Sequence, residues 1–193
     1  MRVGRSVLSV LSALGLAAST TTFAQRHTAP ETFSANIQAA GARGGAGAAM
    51  IEIDIKRYTP DADRTAVEEA LKTGGYPAFV TALRKAPEVG SVSFGERKWA
   101  IRWARERPSG KFTRTIVAVT DKPIFFVGGG SVDAKPREGY EVAVIEIEMD
   151  EGGTGRGTMA AAARVKPGGE TGVRIDDYAD KPIKLITVVR KFS

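Results

Sequence analysis

A chain of 193 residues carries 28 Lys and Arg against 22 Asp and Glu, a formal charge of +6 that falls to +4 if an N-terminal signal carrying Arg2 and Arg5 is removed, too small for a dedicated nucleic-acid binder. There is no cysteine and one histidine, His27, close to the N-terminus. His27 falls three residues past a predicted cleavage site, where nothing is expected to hold it in place. Without a placed His or any Cys, Cys-His and Ser-His-Asp triads, Cys/His zinc sites and haem ligation by histidine are not expected, no cofactor is implied, and any catalysis would have to use carboxylates, Lys, Tyr, Ser or Thr.

The first 24 residues read as a cleavable export signal. Arg2 and Arg5 form the positive region, Val7 to Ala18 the apolar stretch, and Thr22-Phe23-Ala24 the small-x-small cleavage site before Gln25. A mainly apolar stretch of twelve residues falls short of the roughly 20 needed to span a bilayer, and no later stretch reaches that length, so no integral membrane segment is expected after cleavage. Losing Arg2 and Arg5 lowers the formal charge from +6 to +4. The product is expected to be periplasmic or secreted, a single domain beginning near Glu31 after a disordered leader, residues 25–30, and held together by packing without disulfides.

Thr32 to Ala40 is a candidate first strand, and the Gly/Ala run Gly41 to Ala49 a connection. Ile51, Ile53 and Ile55 then alternate with Glu52, Asp54 and Lys56, the period-2 pattern of a strand with one buried and one wet face. Helix signals follow: Thr59 as N-cap, Pro60 at the first helical position, Asp61 and Asp63 in the first turn, and Gly74-Gly75 as the stop. A second helix is predicted from Pro77 to Ala86, making an αα-hairpin whose apolar stripe of Val67, Ala70, Leu71, Phe79 and Leu83 packs on the sheet. Beyond Val89, alternating apolar runs punctuated by Pro and Gly turns predict strands at 91–94, 98–107, 113–120, 124–128, 141–150, 158–166, 173–178 and 183–191. Gly152 to Gly157 reads as a mobile hairpin connection. The fold class is α+β, predominantly antiparallel with roughly 8–10 strands in a barrel or sandwich, and the helical hairpin inserted after the second strand.

Strand alternation over Lys98 to Arg107 places Trp99, Ile101, Trp103, Arg105 and Arg107 on one face. Read structurally, that face is a core stripe running out into solvent. Read functionally, Trp99 and Trp103 line a barrel mouth or groove and Arg105 and Arg107 pair an anionic group at its rim. From Glu96 to Arg114 the chain also holds seven basic residues (Arg97, Lys98, Arg102, Arg105, Arg107, Lys111, Arg114) against Glu96 and Glu106, with a compensating acidic block at Glu146, Glu148, Asp150 and Glu151. Asp176, Asp177 and Asp180 lack the spacing of a calcium loop and read as an acid-rich turn.

In architecture alone the later strands resemble the antiparallel barrels of lipocalin-type carriers; the Gly-x-Trp signature of that family is absent, so ligand binding is not implied by the likeness. The leading expectation is a non-catalytic binding module for a small amphipathic anion or saccharide held near Trp99, Trp103, Arg105 and Arg107. The alternative is an envelope-associated interaction protein docking an acidic partner through Arg97, Lys98, Arg102, Lys111 and Arg114. A carboxylate-dependent hydrolase ranks third.

Overall fold

The computed structural model of the protein describes residues 29–38, 49–110, 114–124, 137–169 and 172–191. Nine strands and one helical element follow one another: β1 (Glu31–Gln38), β2 (Ala49–Ile55), α1 (Asp61–Lys85), β3 (Gly90–Phe94), β4 (Arg97–Pro108), β5 (Arg114–Thr120), β6 (Val142–Met149), β7 (Thr154–Pro167), β8 (Val173–Tyr178) and β9 (Ile183–Lys191). Every pairing is antiparallel, and each strand from β1 to β7 pairs with the next. The first half of β7 then pairs with β9 and its second half with β8, while β9 returns to β1. Eight strands thus close into a barrel, and β8 lies beside it on the far half of β7. The predicted export segment, His27 and the expected strand at 124–128 beyond Ile124 lie outside the described residues.

Alternation sorts the side chains into two apolar cores. Phe33, Ile37, Ile51, Ile53, Ile55, Ile101, Ile116, Ile145, Ile147 and Leu185 belong to a fully buried cluster that fills the barrel. Eight strands enclose a space about wide enough for such side chains to fill or to hold one small ligand. The residues of opposite parity on β5 and β6 (Val117, Val119, Val142, Val144) join Val67, Leu71, Phe79, Val80 and Leu83 of α1 in a second core outside the barrel wall. This explains the continuous apolar run of β5: it is buried on both faces, by the interior and by the helix. On β1 and β2 the outward positions include Thr32, Ser34, Asn36, Glu52 and Asp54, with the exposed Met50 opposite Asn36. No helix among the described residues is long and apolar enough to cross a membrane.

Where the sequence predicts two helices in an αα-hairpin, the chain forms one helical element, α1, kinked at Gly75. The break falls where Gly74-Gly75 marks the predicted stop: Gly75 leaves helical geometry, at φ 68° and ψ −164°, and a second helical segment follows it across the kink. Pro77 is tolerated because it falls in the first turn of the resumed segment, where its missing N–H would have had no partner. Thr59 does not act as the N-cap either, since Pro60 holds that position without a side-chain bond. The Thr59 N–H donates to the Ala104 carbonyl and its hydroxyl accepts the Ala104 N–H, so the residue stitches the helix start to β4.

The segment read as a mobile connection is also corrected. Its turn is confined to residues 150–153, and Thr154 to Gly157 already belong to β7. Glycine is required there by close approach: a Cβ on Gly155 or Gly157 would lie 2.2 Å from the backbone carbonyl oxygen of Glu148 or Glu146 on β6.

Candidate functional site

The face predicted to carry Trp99, Ile101, Trp103, Arg105 and Arg107 is divided by a bulge. Ile101 pairs with Thr120, but Trp103 pairs with Val119, so Arg102 is an extra residue in β4 and the alternation inverts across it. Trp99 and Ile101 consequently belong with the barrel interior, and Trp103 with the core beneath α1. Ala104 takes the inward position after the bulge. The two tryptophans do not share a wall.

Trp103 is fully buried, and alternation puts Arg105 and Arg107 after it on the same outer face of β4. Arg105 lies 4.0 Å from Glu68 of α1, and Arg107 lies 3.6 Å from Glu146 of β6. The basic segment Arg97 to Arg114 is accordingly not a continuous surface. Arg102 donates to Asp121 at 3.0 Å and to the Ala86 carbonyl at 3.2 Å, tying the end of α1 to the barrel. Arg114 points inward and is buried, Lys111 lies outside the described residues, and Arg97 and Lys98 are the two members of that surface that stand exposed.

Arg114 forms the centre of a charge cluster that sequence reasoning missed. Its guanidinium donates to both oxygens of Glu31, at 2.7 and 2.9 Å, across 83 residues of sequence. The Tyr58 hydroxyl donates to Glu31 at 2.7 Å and Arg190 donates at 3.2 Å, while Glu106 stands 3.5 Å from Arg114. Burial alone would raise the Glu31 pKa; the bonds from Arg114 and Tyr58 and the charge of Arg114 outweigh it and hold the carboxyl below the ordinary range. Burial would lower the pKa of Arg114, but the bond to Glu31 and its charge raise it instead. Burial, and then the bond to Glu31, push the Tyr58 phenol up, keeping it a neutral donor. A glycosidase acid needs a raised pKa, and Glu31 has the reverse.

The register places this cluster at one end of the barrel and the β3–β4 hairpin tip at the other. Glu31 pairs with Ile55, and Ile55 with Gly90, from which β3 runs to Phe94 at the far rim. There Phe94 faces Arg97 and Val92 faces Trp99 across the hairpin. Phe94 and Trp99 are half-buried against the interior cluster, whereas Val92 and Ile101 beneath them are fully buried. Alternation puts Arg97, exposed at the tip, on the same inward side as Trp99. The tip can turn so tightly because Gly95 adopts φ 58°. The rim therefore presents two aromatic faces and one guanidinium above a closed aliphatic floor.

The acid-rich turn is occupied by cations and a phenol of the chain itself. Asp176 pairs with Lys166 at 2.5 Å and Arg164 at 3.1 Å, and Tyr140 donates to Asp177. Among the described residues no group of three or more His, Cys, Asp or Glu could hold a metal ion. Comparison of the chain with protein families, curated proteins and solved structures finds no match.

Proposed function

We propose that this chain is a non-catalytic binding module, exported from the cytoplasm, whose ligand is a small amphipathic anion held at the β3–β4 rim. The observation that carries the reading is the juxtaposition of Phe94, Arg97 and Trp99 on the inward side of one hairpin tip. An aromatic face offers apolar area with little entropy to lose, and a guanidinium pairs a carboxylate through charge-assisted hydrogen bonds. The closed floor of Val92 and Ile101 limits how far an apolar group can descend. A flat aromatic carboxylate therefore suits the rim better than a long acyl chain, and better than a saccharide, which would seek several hydrogen-bonding side chains.

Export follows the reading of residues 1–24 as a signal peptide. Docking of an acidic partner through the basic segment has less support, because Arg102, Arg105, Arg107 and Arg114 are each committed to a carboxylate of the same chain. The test is a fluorescence titration with 2-naphthoate of a Trp103→Phe protein, in which Trp99 is the remaining tryptophan. Saturable change in Trp99 emission is expected, weakened about tenfold by Arg97→Gln, on the order of 1.5 kcal/mol for a charged hydrogen bond. Unchanged emission up to millimolar naphthoate would defeat the proposal. A response to decanoate or maltotriose alone would replace the ligand class.

A further inference from the structure

The barrel closes eight strands on one another and leaves β8 at the margin. Among the described residues β8 pairs with β7 alone, whereas β9, which follows it along β7, is taken on its other side by β1 from Lys184 onward. A strand with one unpaired side presents backbone groups that a second chain can pair with. The side chains of β8 would favour such pairing, since Ile175 is half-buried and Tyr178 is 42% exposed.

Hydrogen bonds fix the direction of the Tyr178 backbone. Tyr178 sits opposite Ala163, yet it is the next N–H, that of Ala179, which reaches β7 and donates to the Ala162 carbonyl at 3.0 Å. Successive residues of an antiparallel strand turn their backbone groups to opposite sides, so the Tyr178 N–H faces away from β7. The Ala163 carbonyl agrees, because it accepts the Tyr76 hydroxyl of α1 at 3.0 Å. The outward N–H is already engaged. It donates to Oδ1 of Asp177 at 2.9 Å, while Oδ2 of the same carboxylate accepts the Tyr140 hydroxyl at 2.5 Å and lies 3.9 Å from Arg164. Asp177 is thereby held over the edge from a second part of the chain. One residue earlier, Asp176 is the extra residue of a bulge opposite the step from Arg164 to Val165, which interrupts the ladder. We propose that Asp177 guards the β8 edge: its carboxylate occupies the outward amide of Tyr178 and so keeps β8 from pairing with the β8 of a second copy.

The test is sedimentation equilibrium of the parent chain, Asp177→Ala and Asp177→Asn, with amide exchange to locate any contact. The parent and Asp177→Asn, which keeps an oxygen for the amide, should remain single chains from about 10 μM to about 1 mM, a range in which a weak edge contact registers. Asp177→Ala should rise toward twice the mass over that range, with exchange of the Tyr178 amide slowed about tenfold in the concentrated sample. If Asp177→Ala fails to fold, Asp177→Val serves instead, since it suits a strand and also lacks the oxygen. Association of the parent or of Asp177→Asn with the Tyr178 amide protected overturns the proposal. So does a folded Asp177→Ala or Asp177→Val protein that stays a single chain, or that associates with this amide unprotected. The outcome is independent of the naphthoate titration, since the rim and β8 share no residue.

Discussion

Glu31 and Arg114 show what a single buried ion pair asks of a small barrel. The side chains are each 4% exposed, and the pair is joined by two hydrogen bonds, so removing one partner strands a charge away from water. Glu31→Gln is expected to destabilise the fold by about 3–5 kcal/mol, the range for breaking a buried pair. Replacing both, as Glu31→Leu with Arg114→Met, should cost less than the single change, because no uncompensated charge remains. Urea denaturation of the three proteins checks the order, and a double variant weaker than Glu31→Gln would refute it. The pH dependence has a definite sign. Glu31 titrates below its ordinary value in the folded chain, so its contribution is present above the unfolded pKa, near 4.5, and is lost as pH falls through the lower folded value. The parent urea midpoint should drop between pH 5 and strong acid more steeply than that of Glu31→Gln. None of this pairing was legible in the sequence. Glu31 marked only the start of order and Arg114 belonged to a basic run, because a contact between residues 83 positions apart leaves no local signature.

Elements were legible wherever a local pattern was sufficient. The alternating isoleucines of β2, the bounds of β8 and β9, and four of the five stripe residues of α1 (Val67, Leu71, Phe79, Leu83) lie where periodicity placed them. Phase was less secure than existence. One inserted residue, Arg102, moved Trp103 from the expected shared face to the opposite side of the wall, and a period-2 reading cannot see a bulge before pairing is known. Glycine served once and misled once: the helix does break at Gly75, whereas Gly157, read as part of a connection, lets two strands approach closely. Gly75→Ala should lose about 1–3 kcal/mol from backbone strain, since its φ and ψ lie in a region that side chains disfavour. Gly157→Ala should lose a similar amount, about 1–3 kcal/mol by overpacking against the Glu146 carbonyl, with faster amide exchange along β6 and β7 as its signature. Exchange accelerated evenly over every strand would point to a global loss rather than a local one.

At the scale of the whole molecule, the sequence left barrel and sandwich open, because both present one apolar face per strand. Closure depends on which strands not adjacent in sequence meet, and the decisive pairings are β9 with β1 and β9 with β7. Once closed, the barrel fills its own interior with branched aliphatic side chains, wears α1 on one flank, and leaves the β3–β4 rim as the place where aromatic area, positive charge and access coincide. The central claim is that a ligand is taken at this rim and not inside. Chemical-shift mapping during a 2-naphthoate titration, with backbone amides and isoleucine methyls both labelled, tests it most directly. Shifts should concentrate at Phe94, Arg97 and Trp99 while the methyls of Ile53, Ile116 and Ile145 stay in place; movement of those interior methyls, or no saturable shift at the rim, would contradict it.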